Sequence, residues 1–429
     1  MLQYNRGKLY IKKRTVPQWL TLFVLIFPFC FALFIEFLNF PSLIKYLVDI
    51  AWVGAALFIF FQRGVVLKKG ITPFYVFILV FLLYTLVIYL FNFQSIGYYL
   101  WGVRNNFRFY FCFLAIAVFL NQDDIATVFK LFDVLFWINA IIATIQFLGF
   151  GYQWDYLGGI FGTELGNNGY TLIFFAIIAI KSLLSFMNKT EKGLLCLSKC
   201  AACLILTALM ELKMFFIVFI LILILSIVFT KFSWRKGMLL IFSAFIIMFA
   251  GSILTILFGE SSNILSFERL MELLTAESYA SAEDLGRFTA IPIISRTILT
   301  ELPEKLFGLG LGNCDTSTFA IFNTPFYQTH AYLHYNWFSS AFLFLETGYI
   351  GLGLNLTFFI LCFIKARKHL KSNSNNPLFN QMALIMSVVC VVLTFYNSSL
   401  RTEAGYMAYF VLALPFISNK QIEIKEKQI

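Results

Sequence analysis

Two of the three histidines in this 429-residue chain, His330 and His334, stand four residues apart in Thr329-His-Ala-Tyr-Leu-His-Tyr-Asn336. Histidine titrates near neutrality, so such a pair suits a general base or hydrogen-bond donor, and on a helix it would share a face that could also ligate zinc. The intervening Ala, Tyr and Leu lack the glutamate of the metalloprotease pattern and no third ligand is evident. Satisfied interfacial histidines are the plain alternative. Upstream, Ser281-Ala-Glu-Asp284 reads as a capping box opening a helix, with Arg287 one turn in and Glu283 four residues before it as a simple helix pair. That helix is expected to run past Pro292 and stop before Pro303. Gly308-Leu-Gly-Leu-Gly312 then predicts a flexible turn; without a preceding strand and following helix it is no dinucleotide fingerprint.

Further charges recur at other points of the chain. Arg104 and Arg108 are four apart and share a helical face at the start of an apolar run, Asn106 to Asn121. Glu211 and Lys213 fall in one tight turn, and Arg401 and Glu403 in another. A charge near a membrane is costly unless paired or wetted, so each is either a functional candidate or a local pair or snorkelling side chain.

The elements that must position these residues are membrane helices. The chain is 60% hydrophobic and 13% charged, far more apolar length than a water-soluble core could bury. About twelve runs reach the roughly 20 apolar residues that a crossing needs, and runs of that length are helices rather than barrel strands. The expected fold is an all-α polytopic membrane protein with about twelve transmembrane helices. Residues 1–258 would carry nine of them, 259–336 one long loop with short helices, and 337–429 the last three with a cytoplasmic tail.

Lysine and arginine set the expected orientation. They crowd the N-terminal tail (Arg6, Lys8, Lys12, Lys13, Arg14) and alternate connections such as Arg63 to Lys69, Lys189 to Lys199, Lys231 to Lys236 and Lys365 to Lys371. The positive-inside rule makes that side and both termini cytoplasmic, so the 259–336 loop faces outward. The first apolar run reads as a full span, with no small-residue cleavage site after it. The net charge of +10 is then a consequence of topology, and nucleic-acid binding is not indicated. The eight cysteines lie mostly in or beside spans, with Cys314 in the loop, and imply no disulfide framework. The 54 phenylalanines follow no period.

An arginine in a short outer helix, then Leu-Phe-Gly-Leu-Gly-Leu-Gly312, then the His/Asn cluster, then Phe-Leu-Glu346-Thr-Gly348-Tyr-Ile-Gly351-Leu, resembles the O-antigen polymerase and O-antigen ligase superfamily. Gly158-Gly-Ile-Phe-Gly162-Thr-Glu-Leu-Gly-Asn167-Asn168-Gly169 is similar to another recurrent segment of that family. The resemblance covers the twelve-span layout and, as motifs, about a quarter of the chain. The sequence departs where Tyr335 separates His334 from Asn336, and where Glu211-Leu-Lys213 stands in place of a Ser-Arg pair; a lysine keeps the charge and loses the bidentate fork.

The resemblance implies a metal-independent glycosyltransferase without cofactor, in the bacterial inner membrane. It would join polyprenyl-diphosphate-linked oligosaccharide repeat units into O-antigen, capsular or exopolysaccharide on the outer face. The outer compartment has no nucleotide sugar, so the donor must arrive already activated in the membrane lipid. Arg287 with either histidine, His330 or His334, would be catalytic. Arg104, Arg108, Lys213, Asn336 and Arg401 would bind diphosphate or sugar, since guanidinium forks hold phosphate oxygens and a leaving charge. A chain-length regulator is the implied protein partner. Two rivals share parts of this pattern: a ligase moving finished polymer to lipid A core, and a multispan transporter or lipid-linked sugar flippase. Transporters usually carry charges along a path inside the spans and show internal repeats, which are not seen here.

Overall fold

In the computed structural model the described residues are 14–61, 70–164, 166–230, 234–259, 271, 275–278, 283–317, 319–372 and 376–417. They form helices, with no strand among them. In chain order the α-helices are α1 Val16–Ile26, α2 Tyr46–Phe61, α3 Thr72–Asn92, α4 Ile96–Phe119, α5 Gln122–Phe150, α6 Asn167–Met187, α7 Gly193–Leu209 and α8 Lys213–Phe229. They continue with α9 Trp234–Phe258, α10 Ala290–Thr297, α11 Leu302–Phe307, α12 Pro325–His330, α13 Ser339–Lys371, α14 Pro377–Tyr396 and α15 Gly405–Ala413.

Seven helical segments among the described residues are long and apolar enough to cross a membrane: Ser42–Phe61, Thr72–Asn92, Gln122–Phe150, Asn167–Met187, Trp234–Phe258, Ser339–Lys371 and Pro377–Tyr396. Four shorter apolar segments accompany them, Val16–Cys30, Gly193–Leu209, Lys213–Phe229 and Gly405–Phe416. The chain is membrane-embedded by this measure, since α2, α3, α5 and α9 turn Ile, Leu and Phe outward, as with Phe61, Ile141 and Phe245. Soluble helices place charge on such faces; in lipid there is no reason to. α6 is the central helix, buried nearly all round by α7, α8, α14 and α15.

Local chemistry explains where the helices start and bend. Asn121 caps α5 by accepting from the Asp123 and Asp124 amides, and Asp124 reaches back to the Asn121 amide. Pro28 lacks an amide hydrogen, and α1 passes there into a 3₁₀ turn, Phe27–Cys30, before a π-helical turn at Leu33–Phe37. Gly348 interrupts α13 with φ 62° and ψ −169°. At that break the Leu345 and Glu346 carbonyls are free of the helix ladder and accept from the Leu309 and Gly310 amides at 2.8 and 2.9 Å. The glycine-rich turn is thus a fixed cap on the α13 kink, not the flexible connection its composition predicts. It also lies directly on α4: a Cβ on Gly102 would come within 2.5 Å of the Gly312 nitrogen.

Four further expectations are corrected. The fourth apolar run begins at Ile96 rather than Asn106, so Arg104 and Arg108 sit well inside α4 and not at its start. Carboxylate partners on other segments, described below, neutralise them there. Arg287 lies in the turn preceding α10 and not one turn into a helix; Ser281, its expected cap, falls outside the described residues. Helix α10 does run through Pro292, and it ends at Thr297. His330 and His334 do not share a helical face. α12 ends at His330, and after the 3₁₀ turn Ala331–Leu333 the His334 backbone turns left-handed at φ 48°. Lys199 sits in the body of α7, not in a connection, where with Lys181 of α6 it pairs Asp133 of α5.

The described part of the 259–336 segment is not an independent unit. Its apolar residues Leu285, Ala290, Ile294, Leu299 and Tyr335 share one small core with Phe338, which precedes α13, and with Phe342 and Leu345 of its start. The segment is therefore a lid fused to one end of the bundle. Of the basic tail Arg14 is described and pairs Asp124 of α5 at 2.7 Å; Arg6, Lys8, Lys12 and Lys13 and the connections Arg63 to Lys69 and Lys231 fall outside the described residues.

Candidate functional site

The site is built where α4, the start of α13, the 397–404 turn and the lid meet. Helix α4 supplies two guanidiniums one turn apart, and each meets a different carboxylate. Arg104 donates through Nε and Nη2 to Asp49 Oδ2 of α2 at 3.1 and 2.5 Å and lies over the rings of Tyr46 and Trp101. Arg108, almost fully buried, donates through Nη1 to Glu403 Oε1 at 3.0 Å and through Nη2 to the Arg401 carbonyl at 2.8 Å. Glu403 Oε2 in turn accepts from the Tyr170 hydroxyl at 2.9 Å. Burial works against ionising Glu403, yet the adjoining Arg108 guanidinium holds its carboxyl down at about 2. Between the two arginines, Asn105 donates its side-chain amide to Asp315 Oδ2 of the lid.

Arg401 is placed differently. Its guanidinium lies 3.1 Å from the centre of the Phe342 ring, and its Nε is buried without a hydrogen-bond partner. No carboxylate bonds to it among the described residues; Asp315 and Glu346 act on it only at longer range, and burial lowers its pKa. It lines a cleft with Asn105, Asn106, Ser339, Asn355, Thr394 and Tyr409, a polar wall inside an apolar bundle.

Arg287 approaches from the lid side. It donates to the Tyr396 carbonyl at 2.9 Å, lies over the Tyr396 ring at 4.1 Å and reaches Phe338 at 5.7 Å. Phe338 and Phe342 are one turn apart, so Arg287 and Arg401 stand over successive aromatic steps at the start of α13. Burial raises the Asp155 carboxyl, which the Asn168 amide and the charge of Arg287 oppose and Glu211 reinforces. Glu211 itself binds Lys213 at 2.9 Å, the local pair that its spacing allowed.

The two histidines occupy distinct settings. His330 Nδ1 is engaged by the Thr329 hydroxyl at 2.7 Å and the Phe326 carbonyl at 3.2 Å, and its ring stacks on Phe326. His334 stacks face to face on Trp337 at 4.0 Å, and among the described residues its ring nitrogens make no hydrogen bond. Asn336 follows in the 3₁₀ turn Tyr335–Trp337, half-buried. Within the lid the Leu285 amide donates to the Leu333 carbonyl and the Tyr335 hydroxyl to the Cys314 carbonyl, at 3.2 and 2.6 Å, while Arg287 on the Tyr396 carbonyl and the Leu309 and Gly310 amides on the Leu345 and Glu346 carbonyls tie the lid to the bundle. Among the described residues no group of three or more His, Cys, Asp or Glu is placed to hold a metal ion.

Sequence reasoning therefore singled out the cations together with Glu211 and Glu403, and missed Asp49, which pairs Arg104, and Asp315, which holds Asn105. Asp49 and Asp315 carried only a weak signal, an isolated acid in an apolar run and one in a polar loop. Glu346 is wholly buried, holds the Gly312 amide at 2.8 Å on Oε1, and leaves Oε2 without a partner. Its place in an apolar helix was the clue. The sequence matches no protein-family model and no curated protein.

Proposed function

We propose that the protein is a polysaccharide repeat-unit polymerase of the bacterial inner membrane, acting on its outer face. The seven long apolar helices, the four shorter ones and α4 would supply twelve crossings. The positive-inside rule would then put the Arg401 end of the bundle outside. The donor would be a polyprenyl-diphosphate oligosaccharide and the acceptor a second lipid-linked repeat. The acceptor hydroxyl oxygen attacks the anomeric carbon of the donor, its proton passing to the His334 imidazole. The bond from that carbon to the phosphate oxygen breaks, and the diphosphate leaves on its lipid carrier. Arg401 and Arg287 receive the developing phosphate charge, and Arg104, Arg108 and Lys213 raise the local positive potential. Asn336 would hydrogen-bond sugar.

The observation that carries this reading is the Arg401 guanidinium. It lies over Phe342, is bonded to no carboxylate among the described residues, and lines a cleft in which amide and hydroxyl groups alternate with Phe109, Leu343, Phe359 and Leu400. A cation held rigid and unneutralised at a membrane surface is a receptor for an anionic head group. Replacing Arg401 or Arg287 by alanine in a cell that makes the polymer should collapse long chains to single repeats. Unchanged chain length in both variants overturns the reading. Loss of polymer from lipid A core with long polymer kept on the carrier lipid would instead mark a ligase. Failure of the purified protein to turn over a diphosphate-linked donor without an ion gradient would favour transport.

A further inference from the structure

A second polar cleft lies on the other side of the Arg108–Glu403 pair. It is bounded by the 3₁₀ and π turns that follow α1 and by the segment leading into α6. Its walls include Glu36, Lys45, Phe161, Glu164, Asn167 and Tyr170, and it encloses about 390 Å³ of empty space, part of it open to solvent. Two of these side chains are uncommitted donors. Asn167 is 8% exposed, and its amide nitrogen is buried with no hydrogen-bond partner. The Lys45 ammonium reaches over the Phe31 ring at 5.9 Å and makes no ion pair among the described residues. A buried amide donor left unmade is costly, so an occupant that accepts from it recovers that cost.

The chemistry of the walls selects the occupant. Two carboxylates, Glu36 and Glu164, line the cleft beside one ammonium, and that balance repels a phosphate or an anionic lipid head group; Glu36 Oε2 already accepts from the Thr163 amide and hydroxyl at 2.7 and 3.0 Å, which fixes its carboxylate in the wall. Carboxylates accept well from hydroxyls, and amide and ammonium groups donate to hydroxyl and ring oxygens. Phe31 and Phe161 add apolar faces of the kind that pack on a pyranose. A neutral saccharide brings hydroxyls and ring oxygens that suit the Asn167 amide, the Lys45 ammonium and the Glu164 carboxylate.

Its position selects the role. Tyr170, which lines this cleft, donates to Glu403; Glu403 accepts from Arg108; Arg108 donates to the carbonyl of Arg401, which lines the other cleft. A single chain of hydrogen bonds thus separates the two. We infer that the cleft at Lys45 and Asn167 is a saccharide subsite that receives the acceptor sugar, opposite the diphosphate side at Arg401. The inference rests on the polymerase reading for the word acceptor, while saccharide binding itself does not.

The test uses the purified full-length protein in nanodiscs and, as probe, the free repeat oligosaccharide released from the producing cell's own polymer by mild acid. Binding is measured by calorimetry. Wild type should bind, N167A and K45A should each raise Kd about tenfold or more, and K45R should restore much of the loss. K130A, at an exposed residue of α5 that lines neither cleft, should bind as wild type does. Thermal unfolding of each variant establishes that it is folded. Absence of wild-type binding overturns the subsite, as does undiminished binding in folded N167A and K45A, or an equal loss in folded K130A. Binding of anionic-lipid nanodiscs that depends on Lys45, with no saccharide binding, also overturns it. If the subsite variants lose binding while R401A and R287A still make long polymer, the subsite stands and the polymerase reading falls.

Discussion

Arg108 Nη1 donates to Glu403 Oε1 at 3.0 Å although the two residues are 295 positions apart in the chain. One lies in the middle of α4 and the other in the turn before α15, so this bond ties an early helix to a late one. Removing one partner of a buried pair leaves the other charge uncompensated, at a cost of about 3–5 kcal/mol. E403A and R108A are each expected to lower the unfolding midpoint of the detergent-solubilised protein by several degrees. The double variant R108M/E403L should recover part of that loss. A midpoint unmoved in both single variants contradicts the pairing.

The same carboxylate sets an acid limit. The folded Glu403 carboxyl sits at about 2, below the ordinary glutamate value of about 4.3 that it regains on unfolding. A depressed value means that its contribution is full above the unfolded pKa and is lost as pH falls through the folded one. Stability should therefore decline between about pH 4 and pH 2, and E403Q should flatten that stretch of the profile. An identical acid profile in E403Q would show that other carboxylates set the limit.

Two glycines of α13 should respond oppositely to the same change. A Cβ on Gly348 would meet the Leu306 carbonyl oxygen at 2.3 Å, and its φ is +62°, whereas nothing lies within 4 Å of the Cβ position of Gly353. G348A is expected to destabilise by about 1–3 kcal/mol through strain and backbone displacement. G353A, in regular helix, should be neutral or stabilising by up to about 1 kcal/mol. Chemical denaturation of the two variants side by side decides it.

Within the proposed reaction, His334 is the better placed proton acceptor. His330 spends Nδ1 on Thr329 and Phe326, while His334 keeps its ring nitrogens clear of hydrogen bonds among the described residues. H334N tolerates the left-handed backbone and is expected to fold normally yet shorten the polymer to one or a few repeats. H330A should retain long chains. Equal loss in both, or loss only in H330A, reverses the assignment.

Charge alone should not rescue Arg401. Its planar guanidinium stacks on Phe342 and presents a fork that an ammonium lacks. R401K is expected to lose about tenfold or more of the polymerising activity, read as the proportion of long chains on a gel. K213R, at a residue already paired with Glu211, should change it little.

Much of the fold was legible because hydropathy is a property of short stretches. Runs such as Thr72–Asn92 and Trp234–Phe258 announce themselves by composition and appear as long helices. The cations of the candidate site were legible for the same reason: Arg104, Arg108, Arg287 and Arg401 stand out against apolar neighbours. The start of α4 was not, because Ile96 to Asn105 mixes arginine, asparagine and glycine and reads as interface. Asp49, Glu403 and Tyr170, which hold those arginines directly or through another group, lie on distant segments, and no spacing links them.

The sequence by itself determined that the chain is helical and membrane-embedded, because a backbone surrounded by apolar side chains must satisfy its own hydrogen bonds. It also determined which residues bear charge in that setting. The tertiary structure alone decided which of those charges are spent. Arg108 is neutralised by a carboxylate 295 residues away, Lys213 by its neighbour, and Arg401 by no bonded carboxylate among the described residues. It likewise decided that Gly308–Gly312 caps the kink of α13 and that His330 and His334 part company. These outcomes depend on packing between segments far apart in the chain, and that information is not carried by any local pattern.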